Sequence, residues 1–453
     1  MSLCPSASGK FPGGRIRPVR GSRREPAMDY DLIVVGGGPG GLMAAKTAAE
    51  DGLKVLLVER KKNVAEIARA CLQIFYINKI TPNPETGKGE PNMDGYIDPV
   101  SAEILPEKCR FHFPVPGFSL DFSGSVRAYY NWVQISPRGY RIHRYVPDEK
   151  VWGFYYQKEA FVAQLLAAVE KAGVEVMPEA SAVSAANTPG GVEVKVKRGQ
   201  TEETIRGKNA IAADGLNSRI VQSLGLNENR RIGAPRHIVA YILEGVVAPS
   251  HDTSLLSWTI PSVSGGGNVW MGLLAGGRNI LGVGSGADKP PAAILDAFLK
   301  LPAFWDWFKN AKVVDKKVTA VAPRASLKEP VAGNVVIVGD AGASAEAWIQ
   351  GAVASGYQAV KAIEKERSGQ PGYKDYINWW QKAFAFNYSA YQKLLARVYP
   401  LNRVCNDDDI DYLFQLFQDE IGIPALMVTT NLERVKKGRP ELYEKIRASL
   451  TGG

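Results

Sequence analysis

The chain has 453 residues, of which 45% are hydrophobic and 22% are charged. A chain of this length can bury a large core and usually forms two or three domains. No apolar run reaches the roughly 18 residues needed to cross a bilayer. The composition therefore excludes a transmembrane helix and leaves a peripheral membrane contact open, so we expect a cytoplasmic protein or one at a membrane surface.

The positive charge is concentrated at the start of the chain. Residues 1–27 contain six lysines and arginines against one glutamate, which accounts for five of the nine net charges. This Pro/Gly/Ser/Arg-rich segment precedes Met28 and lacks the apolar core of a secretory signal, so we interpret it as a disordered or non-native tail. The excess of four charges over the remaining residues does not favour a nucleic-acid partner.

The cysteines and histidines do not indicate a metal site. Cys4, Cys71, Cys109 and Cys405 are widely separated and form no CxxC pair, and the four histidines show no ligand spacing. Neither a disulfide framework nor a structural zinc site is indicated, and we predict no metal. Scattered cysteines of this kind are typical of a reducing cytoplasm.

The first motif is the stretch IVVGGGPGGLMAA at residues 33–45. Its apolar β-branched start predicts a buried strand, and the small residues at its end predict a helix. Between them, Gly36, Gly38 and Gly41 give the GxGxxG spacing of a tight turn that lets the backbone approach a pyrophosphate. Because the start of the helix offers free N–H groups to phosphates, the stretch predicts a dinucleotide site.

A second strand, KVLLVER, ends on Glu59, eighteen residues after Gly41. An acidic side chain at this position binds the ribose hydroxyls of an adenosine, which NAD and FAD share. A later glycine-rich stretch at residues 282–290 has no acidic residue at the right distance. We therefore predict one resident dinucleotide and an external electron donor, such as NAD(P)H or ferredoxin.

The rest of the chain predicts an α/β fold with a discontinuous organisation. We predict a Rossmann-like dinucleotide-binding domain, an inserted antiparallel β-sheet domain for the substrate, and a C-terminal helical region. The predicted boundaries are 28–112, 150–225 and 322–370 for the dinucleotide-binding domain, 113–149 and 226–321 for the substrate domain, and 371–453 for the helical region.

FAD is favoured over NAD by three motifs taken in order. GxGxxG with Glu59 is followed by AADGLNSR at residues 212–219 and by VVIVGDAGA at residues 335–343. Together they resemble the flavoprotein superfamily that includes the para-hydroxybenzoate hydroxylases and the geranylgeranyl reductases. The geranylgeranyl reductase branch is the most similar, over residues 28–365.

The resemblance implies roles for particular residues. Asp340 is expected to bond the ribitol chain of FAD, and Asp214 and Gly215 are expected near the pyrophosphate. The branch has a cysteine that corresponds to Cys71, although Leu-Gln follows it here instead of Gly-Glu. The aromatic stretch of the branch is matched only in part, by the residues around Trp270. These two residues are the candidate catalytic ones, and the predicted cofactor-binding residues are Gly36, Gly38, Pro39, Gly40, Gly41, Glu59, Arg60, Arg69, Lys158, Asp214, Gly215, Asp340, Gly351 and Ala352.

Three kinds of chemistry follow from this resemblance. The first is a reductase that delivers hydride from reduced flavin to a carbon–carbon double bond of a small hydrophobic substrate, isoprenoid or otherwise unsaturated. The alternatives are a flavin monooxygenase acting on an aromatic substrate and an electron-transfer flavoprotein serving a quinone or a redox partner. The fold alone does not choose among them.

Overall fold

The structure is a computed structural model that describes residues 28–77, 95–145, 150–231, 236–284, 289–343, 346–389 and 401–451. The strands are β1 Tyr30–Val35, β2 Val55–Val58, β3 Ile74–Tyr76, β4 Ser101–Leu105, β5 Lys108–Phe113, β6 Phe118–Phe122, β7 Val126–Tyr129, β8 Asn131–Ile135, β9 Arg141–His143, β10 Gly153–Tyr156, β11 Glu175–Met177, β12 Ala180–Thr188, β13 Gly191–Arg198, β14 Thr201–Ala212, β15 Arg236–Glu244, β16 Ser254–Trp258, β17 Val269–Leu273, β18 Asn279–Gly284, β19 Lys312–Val321, β20 Val331–Ala332 and β21 Val335–Ile337.

The helices alternate with these strands and then dominate the end of the chain. They are α1 Pro39–Glu50, α2 Lys158–Lys171, α3 Arg219–Ser223, α4 Pro261–Ser264, α5 Pro291–Phe298, α6 Trp305–Phe308, α7 Trp348–Arg367 and α8 Gly372–Ala383. Five more helices cover Leu401–Val404, Asp407–Phe417, Pro424–Thr430, Leu432–Gly438 and Pro440–Thr451.

The first sheet is built on parallel strands in the order β11-β2-β1-β14-β21, with β12, β13 and β20 added by antiparallel pairing. Alternate residues of β1 bury on opposite faces: Leu32 and Val34 pack in the core with α1, α2 and α7, and Ile33 and Val35 pack in the core with β13 and α3. A parallel sheet covered on both faces explains the unbroken apolar run of this strand. The predicted α/β fold is confirmed.

The glycine turn between β1 and α1 is as tight as the motif predicts. Gly36 has φ +106°, and a Cβ there would lie 2.4 Å from the carbonyl oxygen of Ala213. A Cβ on Gly41 would lie 1.9 Å from the carbonyl oxygen of Gly36. Since real Cβ atoms do not approach other atoms so closely, these positions admit only glycine without a shift of the backbone.

Helix α7 crosses α1 at another close contact between backbones. A Cβ on Gly356 would lie 2.1 Å from the carbonyl oxygen of Gly40, and a Cβ on Gly40 would lie 2.8 Å from that of Ala352. Because neither glycine has a side chain, the two helices touch through their backbones. This crossing holds the start of α7, which follows β21, beside the glycine turn that follows β1.

The second large sheet has seven strands in the order β19-β15-β18-β17-β16-β8-β9, of which only β16 and β8 pair in parallel. One face, which includes Tyr241 and Leu243 of β15 and the buried Trp258 of β16, packs on α5. The opposite face, which includes Ala240 and Ile242, packs with Trp270 against the segment that follows β2. This second face closes the candidate site.

Two three-stranded sheets complete the described strands, in the orders β3-β10-β7 and β4-β5-β6. The predicted domain boundary between residues 112 and 113 falls inside β5, and the one between 225 and 226 falls between α3 and β15. The helical character of residues 372–383 and 401–451 agrees with the expectation for the end of the chain. The division into domains stays a prediction.

We predict that Gly356→Ala destabilises the protein. The added methyl group would meet the backbone of Gly40 and push α7 away from α1, and overpacking of this kind costs about 1–3 kcal/mol. The free energy of unfolding, measured in urea, checks this. Gly266→Ala is the matched control, because the nearest atom to its Cβ is a side-chain carbon of Arg403 at 3.4 Å. Equal stability of the two variants would contradict a tight crossing.

Candidate cofactor and active site

A cavity of about 560 Å³ runs from the glycine turn to the second sheet. Fourteen of the sixteen predicted site residues line it: Gly36, Gly38, Pro39, Gly40, Glu59, Arg60, Arg69, Cys71, Lys158, Asp214, Gly215, Trp270, Asp340 and Ala352. Gly41 and Gly351 do not. Gly41 is the close-packing glycine of the turn, and Gly351 faces Phe384 and Tyr96, where a Cβ would lie 2.8 and 3.0 Å from them.

The turn end of the cavity has the features that bind an adenosine diphosphate. Helix α1 begins after Gly38 with no side chain capping its first N–H groups, and no atom lies within 4 Å of where a Cβ on Gly38 would stand. Glu59 is buried, and its carboxylate accepts hydrogen bonds from the N–H groups of Gly37 at 2.6 Å and Lys61 at 2.9 Å. The carboxylate is thereby fixed at the cavity wall, where ribose hydroxyls could donate to it.

Asp214 holds a helix rather than pointing a free carboxylate at the cavity. Its oxygens accept hydrogen bonds from the Ser218 hydroxyl at 2.5 Å and the Arg219 N–H at 2.9 Å, at the start of α3. Burial raises the pKa of Asp214, and these hydrogen bonds oppose the rise. The AADGLNSR motif thus shapes the cavity wall through the turn at Asp214 and Gly215, and the predicted contact of the Asp214 side chain with FAD stays a prediction.

Asp340 lies just after β21, in a short 3-10 turn over Gly339–Ala341. Its Oδ1 accepts a hydrogen bond from the N–H of Ala347 at 2.7 Å, which brings the start of α7 to the cavity. Its Oδ2 lies 3.3 Å from a guanidinium nitrogen of Arg69. Because Arg69 lies between β2 and β3, this ion pair joins the segment that follows β2 to the segment that follows β21 across the cavity.

Glu346 is a site residue that the sequence motifs missed. Its Oε1 lies 2.7 Å from Arg69, and 45% of its side-chain surface is exposed to the open cavity that it lines. Burial within the protein raises the pKa of Glu346, and the neighbouring Asp340 raises it too, whereas Arg69 and Lys158 lower it. An acidic residue six positions after the GD motif is the only sequence signal that could have indicated it.

Trp348, the first residue of α7, is a second missed residue. It lines the cavity with φ +58°, a backbone conformation that is strained for a bulky side chain. Its ring meets the Tyr76 ring edge-on, with centroids 5.0 Å apart. Strain of this kind persists where the surroundings impose it, often at functional sites.

Cys71 and Lys158 meet on the cavity wall. The Lys158 ammonium lies 3.3 Å from the Cys71 sulfur, and the backbone N–H of Lys158, at the start of α2, donates to the side-chain oxygen of Gln73 at 3.0 Å. The segment that carries Cys71 is thus attached to α2 at two points. A lysine here can hold the thiol and also offer a positive charge to the cavity.

Trp270 covers a glycine on the neighbouring strand. A Cβ on Gly282 would lie 2.2 Å from the Trp270 ring, which pairs with it across β17 and β18. The indole therefore lies against the sheet and forms the wall of the cavity at the end remote from the glycine turn. This end is more apolar, with Leu72, Ile74, Tyr156 and Trp348 also in the lining.

The residues present fit FAD. The uncapped helix start suits a pyrophosphate, the fixed Glu59 suits a ribose, and the cavity continues past Asp340 toward an apolar end that an isoalloxazine requires. Within the described residues, no group of three or more His, Cys, Asp or Glu side chains is placed to hold a metal ion. In the same part of the chain, no helix combines the length and the apolar character that crossing a membrane requires.

Comparison with known proteins agrees with this site. Residues 31–64 match the family model described as FAD dependent oxidoreductase. The digeranylgeranylglycerophospholipid reductase of Methanocella arvoryzae is 27% identical over 329 residues, covering 69% of this chain and 71% of the relative. That of Methanospirillum hungatei is also 27% identical, over 84% of this chain and 88% of the relative.

Solved structures share the fold. A geranylgeranyl bacteriochlorophyll reductase-like protein from Thermoplasma acidophilum superposes with a TM-score of 0.62 at 21% identity, covering 93% of this chain and 99% of that one. An aklavinone-11 hydroxylase in complex with FAD and aklavinone has a TM-score of 0.55 at 17% identity, over 84% of this chain and 70% of that one. The chain is a FAD-dependent oxidoreductase. More particularly, its sequence is similar to those of the digeranylgeranylglycerophospholipid reductases.

We predict that Glu59→Ala weakens FAD binding about tenfold or more, because a hydrogen bond to a charged group contributes about 1.5–3 kcal/mol. Flavin absorbance of the purified variant and titration of the stripped protein with FAD check this. Glu50→Ala is the control, since Glu50 is an exposed acid that pairs with Lys46 on the outside of α1. An unchanged dissociation constant for Glu59→Ala would remove Glu59 from the adenosine site.

Proposed function

We propose that this protein reduces carbon–carbon double bonds of a prenyl lipid. Bound FAD, once reduced, supplies the hydride. The observation that carries the proposal is the shape and chemistry of one cavity, which runs from an adenosine end to an apolar end walled by Trp270 and Trp348. The relatives named as digeranylgeranylglycerophospholipid reductases support this substrate class.

The residues that line the cavity have two proposed roles. The glycine turn, Glu59 and Asp340 hold the cofactor, as proposed above. The side chains of Trp270, Trp348 and Leu72 exclude water from the remote end and pack against an unsaturated chain. Cys71 and Trp270 remain the candidate catalytic residues, because both line the cavity.

Reduction of a double bond also requires a proton, and Glu346 is the proposed donor. It lines the cavity beside Asp340 and just before Trp348, and its contact with Arg69 orients the carboxyl group. Burial favours the neutral, protonated form that an acid must have before it gives up its proton. After transfer, Arg69 and Lys158 stabilise the resulting carboxylate.

The electrons come, in this proposal, from an external donor such as NAD(P)H or ferredoxin. The other two chemistries remain alternatives of the same fold, which the aklavinone hydroxylase also shares. Reoxidation of the reduced protein in air distinguishes the three chemistries. A stable oxygen adduct with a hydroxylated product would favour a monooxygenase, and rapid exchange with a quinone without saturation would favour electron transfer.

We predict that the reduced protein saturates a digeranylgeranylglyceryl phospholipid. The holoenzyme is reduced anaerobically with dithionite and mixed with the lipid in detergent, and mass spectrometry follows the gain of two hydrogens per double bond. Protein stripped of FAD is the control. A lipid that gains no hydrogen while the flavin stays reduced would overturn the proposal.

We predict that Glu346→Gln lowers the rate of saturation by about 10²–10⁴-fold, the usual contribution of a general acid. Since only the protonated carboxyl acts, the wild-type rate should be constant below the raised pKa of Glu346 and fall as the pH rises through it. The variant should lose this fall.

Two measurements separate this role from a structural one. Flavin content should be the same in Glu346→Gln and in the wild type. The solvent deuterium isotope effect on the rate of saturation should be smaller in Glu346→Gln than in the wild type. Glu103→Gln is the control, because Glu103 lies on the exposed β4 and pairs with His112. A variant with the wild-type pH profile would exclude Glu346 as the proton donor.

A further inference from the structure

An exposed apolar patch lies at one corner of the seven-stranded sheet. We define it by Val247, Trp305, Val313 and Val314, of which Val247 is 68% and Trp305 51% exposed. These are half of the eight large hydrophobic side chains that the described part of the chain exposes most. Grouping of this kind, unlike single exposed residues, marks a surface that meets a partner.

The four side chains are brought together by three neighbouring segments. The N–H of Val247 donates to the carbonyl oxygen of Trp307 at 3.0 Å, which attaches the loop after β15 to α6. Val313 is the register partner of Leu243, at the end of β15 next to that loop. The patch is therefore one continuous surface formed by the end of β15, α6 and the start of β19.

The segment that carries three of the four patch residues has a net positive charge, although Lys309 pairs with Asp306 and Lys317 with Asp315. Residues 300–317 contain five lysines and two aspartates, an excess of three positive charges. Lys309 follows α6, and Lys312 and Lys316 are exposed on β19. By contrast, exposed Ile104 lies next to Glu103, and exposed Ile421 lies next to Glu420.

A second cavity, of about 460 Å³, lies against the face of the sheet that carries Ile242, opposite the face that carries Leu243, the register partner of Val313. Asp315 and Lys317 of β19 line it together with the apolar Ile242, Leu274 and Ile280. It shares Arg69 and Cys71 with the FAD cavity, so the segment that carries them separates the two. None of the four patch residues lines either cavity.

We propose that the patch docks the protein on an anionic lipid bilayer. Apolar side chains with a tryptophan enter the interface, and the neighbouring lysines bind lipid phosphates. The choice of a bilayer over a protein partner rests on the proposed function, because a prenyl lipid resides in the membrane.

Co-sedimentation with vesicles tests the proposal. The full-length holoenzyme is mixed with phosphatidylcholine vesicles that contain or lack phosphatidylglycerol. We expect binding to the anionic vesicles, weaker binding as salt rises, and at least a fivefold loss in Val314→Asp and in Trp305→Ser. Lys312→Glu should also lose about fivefold or more, the effect of one basic residue near the lipid surface.

Ile104→Asp is the matched control, because Ile104 is 59% exposed on a different sheet, where the nearby Lys108 and Arg110 are both paired with Asp121. It should bind as the wild type does. Every variant keeps the basic residues 1–27, so their contribution to vesicle binding cancels in the comparison. Circular dichroism and flavin content establish that each variant is folded. If Val314→Asp does not fold, Lys312→Glu, which changes only an exposed charge, takes its place as the test variant.

Several results would overturn the proposal. The first is an equal loss of vesicle binding in Val314→Asp and Ile104→Asp. The second is wild-type binding that does not depend on the charge of the lipid. The third is a wild-type dimer that Val314→Asp converts to a monomer. Saturation of lipid in detergent should be the same in Val314→Asp and the wild type. If the wild type binds vesicles through the patch but saturates no lipid in detergent, the proposed function fails and the docking surface stands.

Discussion

The contact between Gly40 and Gly356 is the constraint on which the site depends. It lets α1 and α7 touch through their backbones, so that two helix starts more than 300 residues apart in sequence face one cavity. Both helices follow parallel strands of one sheet, and the carboxyl ends of such strands are where ligands bind in open α/β folds. Without this close crossing, the adenosine end and the Asp340 end would not form a single FAD site.

The first sheet and its cofactor end were predictable because their signals are local. Glycine spacing, a strand that ends on Glu59 and the two later aspartates each lie within a few residues of the backbone they shape. The predicted role of Asp214 shows the limit of such reasoning, since its carboxylate caps α3. The resemblance implies only a position near the pyrophosphate, and the structure is needed to place the hydrogen bonds of this aspartate.

The apolar end was not predictable in the same way. Glu346 and Trp348 enter the site because the turn at Asp340 directs the chain back toward Arg69, which lies 277 residues before Glu346. Gly351 illustrates the converse, since it was predicted to bind the cofactor, whereas it packs against Phe384, which follows α8. Contacts of this kind depend on tertiary packing that no local pattern contains.

The wall that carries Arg69 and Cys71 has a cavity on each of its faces. Because the two cavities share this segment, two reactants need not compete for a single cavity. A bulky lipid can stay in place while a reductant approaches from the other side. Such an arrangement suits a substrate with several double bonds, because successive rounds of reduction can proceed without release of the partly reduced chain.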